Sequence, residues 1–366
     1  MRFSVYSEMQ LWPGRSPERL YVEVEEQIVH ADRLGYDVYA VIEHFFFPRF
    51  SVSPDPIALF AQVAPKTRSI RFRTMLHCLP FHNPTVLASR IAAAAILTGG
   101  RYEFGVGRGH GWGPPKGGLR LEDVRELYDE SLEVFLKALE NERFSHHGRF
   151  YDVHDSHIQP PPPPGPTRLF LGGTSDATYE LAGRRGWSVA VPPLLPYEAL
   201  RRQLDIYRAA CAEHGHDPDI IWIHACYMDE DRESARRDAE VSMRRFLEGN
   251  ASPLTELGPS EELAAAGYGF YTSGIMEQLA RMPYDEMIDG DVVWVGTPED
   301  VAERVAATIE VCEGLTEIAI TANPGGFAHW QAIKTQEIFA DAVAPRFRSA
   351  NGSASADAPH AIIARA

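Results

Sequence analysis

Apolar runs rich in β-branched residues alternate with stretches of helical periodicity from the first residues to about residue 345. Strands and helices follow one another in that order in parallel βα units. Residues 2–8 read as a first strand. The helix predicted over 17–34 keeps Leu20, Val24, Ile28 and Ala31 on one face and stops at Gly35. A second strand over 37–42, a short helix over 55–64 and a third strand over 70–78 come next. A helix over 84–97 then ends at the Gly99-Gly100 pair, and a fourth strand covers 102–106.

The second half continues the alternation after two additions. A helix over 121–139 leads into a polar, aromatic stretch at 143–159 that suits a small hairpin. The five prolines at 160–164 cannot join a ladder and form a stiff connector. Strands at 168–171, 188–191, 220–227 and 317–321 follow, with helices from 177 and 197 between them and a closing helix over 329–343. Eight strands favour a closed (β/α)8 TIM barrel over an open doubly wound sheet. Between strands seven and eight, residues 246–295 are longer than a crossover needs, and the run AAAGYGFYTSG suits a mobile cover on the active-site face. The barrel domain is expected over 1–348, and the low-complexity tail, 349–366, is expected to be disordered.

Composition narrows the partners. A chain of 366 residues with 45% hydrophobic content can bury a full core, and no apolar run approaches the ~20 residues of a membrane span. The amino terminus lacks the pattern of a secretion signal, so a cytoplasmic location is expected. A net charge of -16 with no basic cluster argues against nucleic acid and membrane surfaces. Cys78, Cys211, Cys226 and Cys312 are too widely spaced for a zinc or redox pair and are expected as buried free thiols.

In a parallel barrel the reactive side chains stand at the carboxyl ends of strands. Strand two ends in IEHFFF, which brings Glu43 and His44 to the mouth, where burial can tune an imidazole for proton transfer. Strand three ends in MLHCLPFHNP and adds His77 and His82. Strand four runs into GRYEFGVGRGHGWG, so that Arg108 offers a permanent bidentate donor between Gly107 and Gly109, with His110 next. Strand five runs into LFLGGTSDAT, placing Gly173, Thr174 and Ser175 at the start of a helix, where free amides and hydroxyls bind anions. Each glycine turn alone is explained as well by a tight βα turn with an N-cap; adjacent strands carrying both point to a phosphate site.

The succession EHF, LPFHNP, GRYEFGVGRG, LGGTS, GTPEDV and PGG resembles the bacterial luciferase-like monooxygenases over about residues 2–347. The resemblance implies a barrel that binds flavin mononucleotide (FMN), taken up in reduced form. It assigns the phosphate to Arg108 and Ser175 with backbone donors at Gly109 and His110, and assistance to the reactive flavin to His44. It implies a non-prolyl cis peptide at Met75-Leu76 beneath the ring system, and a homodimer joined through the amino-terminal helices. Two departures stand out: luciferase has a cysteine where this chain has Gly107, and the second histidine often following the first is Phe45, which suggests a more apolar pocket.

On that resemblance the leading expectation is a two-component monooxygenase that receives reduced FMN from a separate NAD(P)H-dependent flavin reductase and uses O2 on a small organic substrate. The absence of a GxGxxG fingerprint fits electrons that arrive from elsewhere. Trp12, Trp112, Phe270 and Tyr271 are candidates to line the substrate pocket. Deazaflavin-dependent hydride transfer on the same fold is an alternative, as is a non-catalytic flavin-binding barrel. A metal hydrolase using His44, His77, His82 and His110 is disfavoured, because strand one has no HxH pair and the later strands end without another histidine, so no metal is expected.

Overall fold

The computed structural model describes residues 1–140, 142–162, 169–258, 261–321 and 323–348. The tail expected to be disordered, 349–366, lies outside the described residues, as do Pro163, Pro164 and Arg168. In chain order the strands are β1 (Arg2–Ser7), β2 (Val38–Val41), β3 (Arg71–Cys78), β4 (Tyr102–Gly107), β5 (Phe144–His147), β6 (Asp152–Ser156), β7 (Leu169–Gly172), β8 (Ser188–Val191), β9 (Ile220–Met228), β10 (Val293–Gly296) and β11 (Leu315–Thr321). The helices are α1 (Pro17–Arg33), α2 (Pro56–Val63), α3 (Pro84–Leu97), α4 (Gly113–Lys116), α5 (Val124–Leu139), α6 (Asp176–Arg185) and α7 (Tyr197–His214). They continue as α8 (Arg232–Leu257), α9 (Glu261–Ala265), α10 (Gly269–Thr272), α11 (Ile275–Arg281), α12 (Tyr284–Asp289), α13 (Pro298–Val311) and α14 (His329–Ile338).

Local chemistry starts these helices where the sequence suggests. Ser16, Asp55, Asn83 and Thr297 each accept from a backbone N–H of the first turn, and each is followed by proline, whose missing N–H costs nothing there. Gly35 takes φ +76° just beyond α1, the left-handed conformation that ends a helix most readily at glycine.

The parallel strands close in the order β1-β2-β3-β4-β7-β8-β9-β11 and back to β1, an eight-stranded (β/α)8 barrel. Closure is visible in the side chains as well. Arg73 on β3 bonds both Glu103 on β4 and Glu317 on β11, and since β1 and β2 separate β3 from β11, the second contact runs through the barrel interior. Ser4 on β1 also donates to Glu317, at 2.6 Å. This buried charged plug is fully paired, as burial requires.

The excursion expected at 246–295 holds the end of the long helix α8, the short helices α9–α12, and most of β10. β10 is a ninth strand, paired in parallel with the outer half of β9 from Val293↔Ala225 to Gly296↔Met228. The hairpin expected at 143–159 is present as β5–β6, antiparallel and apart from the barrel. All four cysteines are free and buried. Among the described residues no helix is long and apolar enough to cross a membrane.

Candidate active site

A cavity of about 410 Å³ opens at the carboxyl ends of the barrel strands. Its wall takes Tyr6 and Glu8 from the end of β1, Glu43 from β2, Met75 and Leu76 from β3, Gly107–His110 from β4, Gly172–Ser175 from β7 and Pro192–Leu195 from β8. Gly267–Tyr271 and Met276, from the segment between β9 and β10, cover it. Both glycine turns therefore reach one space. So do Trp112, Phe270 and Tyr271.

The Met75-Leu76 peptide is cis, at the point where the β3–β4 register shifts between Thr74 and His77. The Leu76 side chain then occupies the space that two glycines leave. A Cβ on Gly107 would meet Leu76 Cδ1 at 2.6 Å, and one on Gly172 would meet Leu76 Cδ2 at 2.9 Å. A side chain at the position of the luciferase cysteine would therefore require Leu76 to move in this chain.

Arg108 is held by the cover. Its Nη1 donates to the Ala266 carbonyl at 2.7 Å and its Nη2 to the Gly267 carbonyl at 2.8 Å, while the guanidinium lies 3.9 Å from the centre of the Tyr268 ring. A guanidinium has five N–H donors, so others are left for a ligand. Arg125 on α5 lines the same cavity and adds a second cation that the sequence reading missed. Ser175 stands at the N-cap position of α6 without capping it, its Oγ paired instead with Thr178 Oγ1 at 2.9 Å. Asp176, in the first turn of α6, bonds Arg202 and Gln203 on α7.

His44 and His110 are neutral. Burial first, then the neighbouring His110, push His44 well below the ordinary histidine range, and burial brings His110 down to about 4. His110 stacks on Trp112 with ring centres 4.4 Å apart, and Trp112 Nε1 donates to His44 Nε2 at 3.3 Å. That bond leaves the proton of the neutral His44 ring on Nδ1. His44 itself is not on the cavity wall; it stands behind Phe50, His110 and Trp112.

The four histidines do not converge. His77 Nδ1 and His82 Nε2 close on the Glu43 carboxylate at 2.6 and 2.7 Å, while His44 and His110 belong to the Trp112 stack. Glu43 also accepts from the Cys78 amide at 3.0 Å. Burial pushes its carboxyl up, but the facing His77 and His82 outweigh this and hold it well below the usual carboxylate range. Ligand atoms of Glu43, His77 and His82 lie within 4.8 Å of one another, a spacing that two imidazoles bonded to one carboxylate produce without a metal. Tyr102 extends the chain, linking His77 Nε2 at 2.8 Å to Thr74 Oγ1 at 2.7 Å.

Two further expectations do not hold. Trp12 is absent from the cavity wall; its ring lies between Arg49 and Arg245, each 5.4 Å away, and against Gly326. Phe45 packs on Phe46 and Phe81 and contributes nothing to the polarity of the cavity. Conversely, Glu8 is a wall residue that the sequence reading passed over. It ends the first apolar run, so the rule applied to the other strand ends would have found it. Its partner Asn250, 242 positions away in α8, gave no signal.

The chain matches the family model of the luciferase-like monooxygenases over residues 1–312. It is 25% identical over 362 residues to the 3,6-diketocamphane 1,6-monooxygenase of Pseudomonas putida, covering 85% of this chain and 89% of that protein. It is 26% identical over 307 residues to the oxygenase component of the flavin-dependent trigonelline monooxygenase of Acinetobacter baylyi, covering 76% and 81%. The fold matches that of the monooxygenase RslO1 from Streptomyces bottropensis with a TM-score of 0.78 at 24% identity, covering 95% and 100%.

Proposed function

Because the chain belongs to the luciferase-like monooxygenase family, we propose that it is the oxygenase of a two-component system, using reduced FMN from a separate NAD(P)H-dependent reductase and O2 to oxygenate a small organic substrate. The observation that carries this reading is that the arginine turn after β4 and the Thr174-Ser175 start of α6 open into one covered cavity with apolar walls. A relative that is itself an oxygenase component supports the separate reductase. The four free thiols suit a cytoplasmic setting, where such a reductase works.

The residues present fit an FMN. His110 Nδ1 and the Tyr268 hydroxyl line the cavity, buried and without a protein partner, which is what a polar ligand would complete. Arg108 and Arg125 would hold the phosphate, with hydroxyls from Thr174, Ser175 and Thr178 and backbone donors at Gly109, His110 and Gly173. Met75 and Leu76 would support the ring system. Reduced FMN, when bound, supplies two electrons to O2, so that one oxygen atom enters the substrate and the other leaves as water. The cover from Gly267 to Met276 excludes solvent, and Trp112, Phe270 and Tyr271 shape the space for the substrate. His44 acts through Trp112 and His110, accepting from the Trp112 indole and packing edge-on against His110, which fixes their position. It is a positioning residue in this reading.

The test is a titration of the protein with FMN and with a deazaflavin, followed by mixing with O2 in the presence of a flavin reductase and NADH. Saturable binding of FMN, with oxygen uptake altered by the protein, is the expected result. Binding of the deazaflavin with no binding of FMN would replace this reading by hydride transfer.

A further inference from the structure

We infer that Glu8, held by Asn250 and Gln10 at the end of β1, is a docking point for the carbonyl oxygen of an otherwise apolar substrate. The inference rests on the substrate cavity proposed above and names the class of molecule that it takes.

The hydrogen-bond directions around Glu8 are fixed from outside. Gln10 Oε1 accepts from the Gly325 amide at 2.9 Å, so its Nε2 must face Glu8 Oε2, at 3.2 Å. Asn250 Nδ2 donates to the Phe246 carbonyl at 2.9 Å and, with its second hydrogen, to Glu8 Oε2 at 3.0 Å. Further along α8, Pro253 cannot supply an N–H to the Gly249 carbonyl, and Ser252 Oγ bonds that carbonyl at 2.7 Å. One carboxyl oxygen thus receives two amide donors, and the proton of the acid belongs on the other.

Glu8 is nearly inaccessible, at 3% exposure, yet its side chain lines the cavity. Tyr6, also on β1, hydrogen-bonds it. The other ionisable groups on the wall stand on different elements: Glu43 after β2, Cys78 at the end of β3, Arg108 and His110 after β4, Arg125 and Tyr128 on α5, Tyr268 and Tyr271 in the cover. Glu43 is committed to His77 and His82, and Arg108 to the cover carbonyls. Burial without a facing cation brings the Glu8 carboxyl up to about 8, against the hydrogen bonds from Asn250 and Tyr6. In neutral solution it is a buried O–H donor beside an apolar space, and a ligand with a lone pair and no competing charge satisfies it. A ketone carbonyl has that chemistry; a carboxylate substrate would be opposed by Glu43 and would seek the arginines.

The experiment compares 2-adamantanone with 2-methyleneadamantane, which keeps the shape and removes the acceptor. Binding is read by calorimetry on the protein alone and with FMN, between pH 6 and 9.5. The wild type is expected to prefer the ketone by about tenfold at pH 6.5, the worth of one hydrogen bond. The preference should fade as pH rises through about 8, where Glu8 ionises and ceases to donate. Glu8→Gln, whose amide still donates, should keep the preference and lose its pH dependence, while Glu8→Ala should abolish it. A wild type that binds neither probe, binds both alike, or holds its preference unchanged across the pH range overturns the inference. Should Glu8→Ala fail to fold, the pH profiles of the wild type and Glu8→Gln decide by themselves. Failure of FMN to bind overturns the flavin reading alone, because the ketone comparison is also made without it.

Discussion

Glu8 brings its proton into the barrel wall, and the fold must answer for it. The folded protein holds that proton up to about pH 8, whereas an unfolded chain releases it near the ordinary value of 4.5. Between those values the folded state binds more protons, so stability falls as pH rises, by roughly 1.4 kcal/mol per pH unit, and levels off above the folded pKa. Glu8→Gln removes this term, so the variant should gain on the wild type from pH 5 to 8. Thermal melts across that range check it, and a constant difference would mean that Glu8 is ionised in the fold. Glu43 is shifted the opposite way, so its contribution is lost only as pH falls into the acid range and does not confuse the comparison. At His44, the bond from Trp112 and the contact with His110 predict that His44→Ala keeps most FMN affinity while oxygen uptake yields more hydrogen peroxide per product, on the order of tenfold or more for a displaced proton-handling group. Peroxide and product measured in one reaction decide it; an unchanged ratio would make His44 a packing residue. Residue types at strand ends were legible in the sequence because they interrupt apolar runs. Their partners were not, because Asn250, which bonds Glu8, lies 242 positions away in the chain.

The turn after β4 and the cover from α9 to α11 behave as one device, joined at Arg108. Its two bonds to the carbonyls of Ala266 and Gly267 and its contact with Tyr268 link the side chain proposed to bind phosphate to the segment that covers the cavity. Arg108→Ala should therefore weaken FMN binding by about 2 kcal/mol, the value of a charged hydrogen-bonding partner, and should also loosen the cover. Fluorescence titration measures the first effect. Hydrogen exchange at residues 266–271 measures the second, and unchanged exchange would separate Arg108 from the cover. Ser175→Ala, which removes one neutral hydroxyl among several, should cost less affinity than Arg108→Ala. Helix starts were legible because serine, aspartate, asparagine or threonine before proline is a local signal. The cover was legible as a place but not as a set of short helices, since its glycines and aromatics give no clear period. β10 was hidden for a related reason: four residues carry too little pattern, and only pairing with β9 makes them a strand.

Taken whole, the molecule leaves an apolar face on α3, where Val86, Ile96 and Leu97 are each more than half exposed. Ser89 and Ala93 lie between them on a helix that is apolar almost all round, and such a face suits a second copy of this chain. We propose the homodimer on this face, and Leu97→Glu should shift it to monomer in analytical ultracentrifugation without lowering the melting temperature of the monomer fold; a monomeric wild type would refute it. The alternation of strand and helix, the eight barrel strands, the two glycine turns and the acidic composition were set by the sequence alone, because period, capping and the need of glycine for left-handed backbone act over a few neighbouring residues. Only closure of the barrel decided the rest. It carried Arg73 across the interior to Glu317, drew His77 and His82 onto Glu43 rather than toward His44, moved Trp12 off the cavity wall and set Asn250 against Glu8. These pairings join residues far apart in the chain, and a side chain's local pattern states that it is buried or polar, never which distant group will satisfy it.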